Sequence, residues 1–365
     1  MSEYLHNIQF SFQPYVLRFR FEAGTSRGVM NEKTSYLLRA FEKDNPSVVG
    51  WGEAGPLPKL SVDDLPDFGS IMENYVEKLS GSSIPCDPKS VLDWCSRQVP
   101  ENLPSIRFAF ETALLDLAQG GERKIFDTGF FHGKMAIPIN GLIWMGKKEM
   151  MMEQIEKKLS EGYSCIKMKI GAIGFSEELD LIARIRSRFG ADKIVLRVDA
   201  NGAFSPEEAG EKLRKLAEWD IHSIEQPIRP GQLDEMARLC RSGILPIALD
   251  EELIGLTGRE EKLRLLEIIK PQYIILKPTL HGGIRASQEW IQLAEELGIG
   301  WWMTSALESN IGLNAVAQFT STYAINIPQG LGTGQLYHNN FNSPLTISNG
   351  YLRYLPNPSL WDIRV

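Results

Sequence analysis

From Ile137 onward the chain repeats one alternation seven times, a short apolar run followed by a longer amphipathic stretch. The runs fall at 137–143, 164–170, 193–199, 221–225, 245–249, 272–277 and 299–303. Between them, residues 149–161, 176–188, 206–219 and 284–297 carry apolar side chains at helical spacing. A helix between two strands returns the chain to the same end of the sheet, so the alternation predicts parallel strands in βαβ units. Seven successive units suit a closed barrel or a doubly wound sheet. No G-x-G-x-x-G opens a helix after a first strand, which argues against a dinucleotide fold.

The first part of the chain reads differently. Residues 8–21 are aromatic and β-branched with partial alternation, and residues 35–41 and 48–52 read as further strands around the turn Lys43-Asp44-Asn45-Pro46. Residues 22–33, with Gly24, Ser26, Gly28 and Asn31, read as a loop. Residues 105–118 have helical spacing behind Ser105 as the N-cap. A meander followed by helices predicts an α+β domain, and 365 residues suit two to three domains.

Composition excludes several classes. The chain is 43% hydrophobic with a net charge of −7, which disfavours a general nucleic-acid binder and leaves room for a local basic pocket. No basic-then-apolar leader opens the sequence and no apolar run is long enough to span a bilayer. Cys86, Cys95, Cys165 and Cys240 form no C-x-x-C pair, and reduced thiols in a cytoplasm are expected. The five histidines show no H-E-x-x-H or H-x-H spacing, so a metal here is expected to be held by oxygen.

The informative residues are charges at the ends of apolar runs, since the C-terminal mouth of a parallel barrel is where catalysis sits. The second run contains Lys167 and Lys169, two apart and therefore on one face. The outer face of a barrel strand packs under helices, so both lysines are expected to point inward. The third run ends Arg197-Val198-Asp199-Ala200-Asn201, the fourth Glu225-Gln226-Pro227, the fifth Asp250-Glu251-Glu252 and the sixth Lys277-Pro278. Asp199, Glu225 and Asp250 end neighbouring strands. Buried together they repel unless a cation sits among them, and Mg²⁺, with Mn²⁺ as substitute, is the expected ion. Taken singly, each carboxylate has the plainer reading of a helix N-cap, and Lys277 that of a surface lysine.

In this order the motifs resemble the enolase superfamily, and within it the muconate-lactonizing-enzyme subgroup, over nearly the whole chain. The resemblance implies a modified TIM (β/α)7β barrel over 135–335. It also implies an α+β capping domain over 1–134, to which the segment 336–365 returns. It assigns Asp199, Glu225 and Asp250 as metal ligands, Lys169 as the base on one face of a carboxylate substrate and Lys277 as the lysine on the other. Lys167 is placed beside Lys169 to favour its neutral form by like-charge proximity.

Three further stretches narrow the resemblance, the first toward the o-succinylbenzoate synthases and N-acylamino-acid racemases of that subgroup, the second away from its dipeptide epimerases by lacking their Asp-x-Asp pair, and the third toward the o-succinylbenzoate synthases. They point to Ser305, Glu308 and Ser309 after the seventh run, to Gly332 and Thr333 in a glycine-rich turn suited to an anionic group, and to Arg197 on the face of Asp199. Ser309 also reads as a helix cap, and Arg197 as a structural ion pair. Asn201 and, in the loop closing over the mouth, Arg27 complete the candidate substrate contacts, with the loop 55–59 as a second lid.

The implied chemistry is abstraction of a proton next to a carboxylate and dehydration of 2-succinyl-6-hydroxy-2,4-cyclohexadiene-1-carboxylate. Racemisation or dipeptide epimerisation is the alternative on the same residues. A catalytically inactive barrel acting as a binding protein is the alternative of another class. A sugar-acid dehydratase would call for a histidine, and His281 lies in the loop after Lys277. Oligomeric state is not written in the pattern. The only partner implied is a small-molecule carboxylate, with no nucleic acid and no membrane.

Overall fold

The computed structural model describes residues 3–25 and 28–363. Arg27 lies outside the described residues.

The first part is an antiparallel sheet backed by helices. Strands β1 (Tyr4–Thr25), β2 (Gly28–Glu42) and β3 (Asn45–Ala54) are followed by α1 (Phe68–Leu79), β4 (Ser82–Pro85), α2 (Pro88–Gln98) and α3 (Pro104–Ala118), with sheet order β3-β2-β1-β4. Residues 22–25 and 28–33, expected as loop, are strand. The β1–β2 ladder slips between Arg18 and Ala23 and then continues through Ala23↔Met30 to Thr25↔Gly28. Paired backbone groups override the weak strand propensity of Gly24, Gly28 and Asn31. Gly24 also lies flat on the barrel, where a Cβ would come within 2.6 Å of the Met145 carbonyl.

Helix α3 is buried from Pro104 to Leu117, the pattern of a helix covered on all sides. It accepts β3 at very close range, since a Cβ at Gly50 or Gly52 would meet the Ala113 or Ala109 carbonyl at 2.0 Å. Ser105 is not its N-cap. Pro104 starts the helix, and the Ser105 hydroxyl instead donates to Asp63 at 2.5 Å.

The second part runs β5 (Ile137–Pro138), β6 (Gly141–Ile143), α4 (Lys148–Ser160), β7 (Cys165–Lys169), α5 (Phe175–Arg186), β8 (Val195–Asp199), α6 (Pro206–Ala217), β9 (Ser223–Glu225), α7 (Leu233–Ser242), β10 (Ile247–Leu249), α8 (Arg259–Ile269), β11 (Tyr273–Leu276), α9 (Gly283–Glu296), β12 (Gly300–Met303) and α10 (Asn310–Thr320). Strands β6 to β12 form one seven-stranded parallel sheet in sequence order. The eighth position is filled by two residues. Gln329 bridges Ile139 on one side and Gly330 bridges Thr304 on the other, which closes the sheet into a barrel. The apolar run at 137–143 is divided, because Ile137–Pro138 pairs with β14 (Tyr351–Tyr354) of a C-terminal hairpin whose first strand is β13 (Leu345–Ser348). Residues 336–339 run back along β1, where Arg20 N–H donates to Leu336 O and Tyr15 Oη to Asn339 O.

Two buried carboxylates join the sheet-and-helix unit to the barrel. Glu53, at the end of β3, accepts from the Ser309 and Gly312 N–H groups at the start of α10. Glu111, on α3, accepts from the Ile284 (2.5 Å) and Arg285 (3.2 Å) N–H groups at the start of α9. Each satisfies donors that a helix N-terminus leaves orphaned and meets the positive end of the helix dipole. A third link is buried Lys262 on α8, held by Glu101 and Glu289.

Burial pushes Glu111 up to about 8, against the pull of the Ile284 N–H and of Arg107. A carboxyl raised in the folded state binds its proton more tightly there than when unfolded. Its stabilising share is therefore complete below the unfolded value and fades as pH rises through about 8. Urea titrations from pH 4.5 to 9 are expected to show wild-type stability falling relative to Glu111→Gln across that window. An unchanged difference would contradict a Glu111 carboxyl that burial holds above its ordinary value.

Candidate active site

The barrel strands deliver their terminal charges to one place. Lys167 and Lys169 alternate with apolar residues on β7, and parallel register sets Lys169 against Asp199 and Asp199 against Glu225. Lys167 Nζ lies 3.0 Å from Asp199 Oδ2 and 2.5 Å from Glu225 Oε2, so it bridges two strand ends. Lys169 Nζ donates to the same Asp199 oxygen at 3.0 Å and to Asn201 Oδ1 at 2.7 Å. Across the barrel, Lys277 Nζ donates to Asp250 Oδ2 at 2.5 Å. All six charged groups are at least nine-tenths buried.

Electrostatics follows from this pairing. Burial opposes the charge on Lys167, yet Asp199, Glu225 and Asp250 outweigh it and hold its pKa above the ordinary value. Lys277 is likewise raised, burial being overcome chiefly by Asp250. Asp199 is held well below the usual carboxylate range by Lys167 and Lys169 despite its burial. Glu225 goes the other way, because burial and the Asp199 charge together push it far up.

Among the described residues, no three acidic, histidine or cysteine side chains are gathered into a ready ligand cluster. The three carboxylates end neighbouring strands, and lysine ammoniums contact one oxygen of each. Their chemistry still suits a hard divalent cation. Glu225 Oε1 and Asp250 Oδ1 are buried without a hydrogen-bond partner among the described residues, and orphaned anionic oxygens are what such an ion takes up.

Above the charges lies a cavity of about 1140 Å³, lined by Lys167, Lys169, Asp199, Asn201, Glu225 and Lys277 below and by Val29, Met30, Leu57 and Lys59 from the first unit above. Ser305, Gly332 and Thr333 line one wall. Ser305 Oγ donates to Glu308 at 2.5 Å and accepts from Thr333 Oγ1 at 2.8 Å, so neither hydroxyl proton is left for a ligand. The backbone N–H groups of Gly332, Thr333 and Gly334 make no hydrogen bond among the described residues. Such a turn offers donors to an anion.

Three candidate contacts lie elsewhere. Glu308 is fully buried and accepts from Thr279, Ser305 and the Ala306 N–H, which shapes the wall from behind. Ser309 is the N-cap of α10, accepting from Ile311 N–H, and its hydroxyl donates to Glu53. Arg197 faces the barrel interior beneath the site, 4.0 Å over the Trp302 ring, with Nη1 donating to Pro328 O at 2.8 Å.

Several residues that shape the site were not anticipated from the sequence. Gln226 ties two strand ends together, its Oε1 accepting from Asp250 and Glu252 N–H and its Nε2 donating to Glu252. Lys33 is fully buried under the loop 55–59, close to Ser35 and Gly55. Burial lowers its pKa against the pull of Glu53 and Glu308. The signal for Glu53 was present, a carboxylate ending an apolar strand, but in the part of the chain read as a cap.

Comparison with known proteins gives one answer. Residues 150–358, more than half of the chain, match the family described as enolase C-terminal domain-like. An o-succinylbenzoate synthase from Desulfotalea psychrophila is 45% identical over 95% of this chain and 99% of its own length. The crystal structure of MenC from the same organism superposes with a TM-score of 0.85 at 42% identity, over 95% of this chain and 99% of that one. An N-succinylamino acid racemase from Thermus thermophilus is 28% identical over 81% of this chain and 77% of its own.

Arg197→Met is expected to leave substrate KM within about twofold and to lower unfolding free energy by roughly 1–3 kcal/mol, because it orphans the Pro328 carbonyl beside the barrel seam. A several-fold rise in KM at unchanged stability would return Arg197 to the substrate.

Proposed function

The chain belongs to the enolase superfamily, through its enolase C-terminal domain-like family, and on that premise we propose that it is a hydro-lyase forming 2-succinylbenzoate from 2-succinyl-6-hydroxy-2,4-cyclohexadiene-1-carboxylate, a step of menaquinone biosynthesis. The observation that carries the reading is the placement of lysines on opposite sides of one charged cavity, Lys167 and Lys169 on β7 and Lys277 beyond β11, each paired to an aspartate at a strand end.

A divalent ion, Mg²⁺ for preference, held by Asp199, Glu225 and Asp250, supplies positive charge against which negative charge can develop on the substrate carboxylate. Lys169 takes the α-proton. The electron pair left behind expels the β-hydroxyl, and the Lys169 ammonium returns the proton so that water departs. Asn201 and Asp199 fix the Lys169 amine by the two bonds described above. Lys277 presents its positive charge to the other face of the ring, and Lys167 holds Asp199 ionised while bridging it to Glu225. The free N–H groups of 332–334 receive the second, succinyl carboxylate. The β1–β2 hairpin and the loop 55–59 cover the mouth and exclude water. The four thiols are unpaired, which supports a reducing compartment such as the cytoplasm.

Purified protein with Mg²⁺ and the cyclohexadiene precursor is expected to give the aromatic product by absorbance, with Lys169→Ala slower by about 10²–10⁴. Mg²⁺ is expected to raise the melting temperature of the wild type and not of Asp250→Asn. Deuterium exchange at the α-carbon of N-acylamino acids without dehydration would assign the racemase reaction instead, and neither activity would refute both.

A further inference from the structure

His281 stands four residues beyond Lys277 and is not itself among the residues lining the cavity, yet it grips the Lys277 backbone twice. The Lys277 N–H donates to His281 Nδ1 at 3.1 Å, and the His281 N–H donates to Lys277 O at 3.1 Å. Leu280 N–H donates to the same carbonyl at 2.8 Å, and Gly283 N–H closes the loop onto Pro278 O at 2.8 Å. The far end of this loop is the first turn of α9, which Glu111 holds. Lys277 therefore leaves β11 in a peptide frame fixed on both sides.

The ring is suited to accept and not to titrate. It is 3% exposed, burial lowers its pKa to about 3, and an Nδ1 that accepts a backbone N–H requires the Nε2–H tautomer. A leucine there would leave the Lys277 N–H buried without a partner, whereas an asparagine offers an amide oxygen in the same place.

We propose that His281 is a positioning residue that acts through Lys277, fixing the backbone from which that ammonium reaches the substrate face. This rests on the reading of Lys277 as a site lysine. His281 is thus neither an acid nor a base in the reaction. Its contribution is the angle at which the side chain of its neighbour enters the cavity, where a displacement of about an ångström can cost on the order of a hundredfold in rate.

The test is steady-state dehydration with Mg²⁺ by wild type, His281→Leu, His281→Asn, Lys277→Ala and the double variant His281→Leu/Lys277→Ala, each with its melting temperature. His281→Leu is expected to lower kcat by roughly tenfold or more with KM within about twofold. His281→Asn is expected to recover most of that loss. In the Lys277→Ala background the leucine is expected to cost nothing further. Full activity of His281→Leu, a loss carried by KM alone, or equal losses with leucine and asparagine would each overturn the proposal. So would a leucine effect that persists in the Lys277→Ala background. Should Lys277→Ala turn over too slowly to measure, the leucine–asparagine comparison decides by itself. An inactive wild type would instead refute the proposed dehydration.

Discussion

The structure is organised around one electrostatic problem, the burial of Asp199, Glu225 and Asp250 at the ends of three adjacent strands. Unpaired carboxylates there would be intolerable in a low-dielectric interior. The chain meets the problem with lysines from both sides of the barrel, and the result is a set of charges that cannot be rearranged singly. Lys167 binds two of the carboxylates at once, so removing either partner strands the other. The same property makes the group useful. Strongly paired charges under a covered cavity are pre-oriented toward any carboxylate-bearing ligand that enters, and little reorganisation remains to be done when charge moves.

Around these charges the framework is polar to an unusual depth. Gln226 laces β9 to β10, Glu308 gathers Thr279 and Ser305, and Glu53 and Glu111 seat two barrel helices on the antiparallel unit. These bonds are directional, which apolar packing is not. The loops that carry Lys277 and Ser305 are therefore held to particular conformations at the end of rather short strands.

The barrel was legible because its logic is local. Seven apolar runs appear where the alternation places them, and a charge at the end of an apolar strand is visible without knowing what it meets. Lys167 and Lys169 face inward by simple alternation. What the sequence does not reveal is contact across long separations. Nothing near Glu53 in the chain shows that it caps a helix beginning 257 residues later at Asn310. Ser309 and Glu308 carry the residue types of a substrate loop, yet their partners come from behind the wall. The segment 22–33 misled for a related reason. Its glycines and asparagine suit a loop, but a strand long enough to pair continues through them. Ser105 has the residue type of a cap, but Pro104 begins the helix one residue earlier and places Ser105 inside the first turn.

Stretches far apart in the chain meet in one place. Tyr15 and Arg18 on β1 bond to Asn339, more than 320 residues away, and the hairpin β13–β14 draws Ile137–Pro138 out of the barrel run. Contacts of such separation are the slowest to form, since the whole intervening chain must be brought into place first. During synthesis the long β1–β2 ribbon emerges well before the segment it rests on, leaving Phe19 without Tyr337, on which its ring packs. The roof over the cavity is thus made of parts of the chain synthesised some 300 residues apart. The ribbon stays exposed to mispairing until residues 336–339 have left the ribosome.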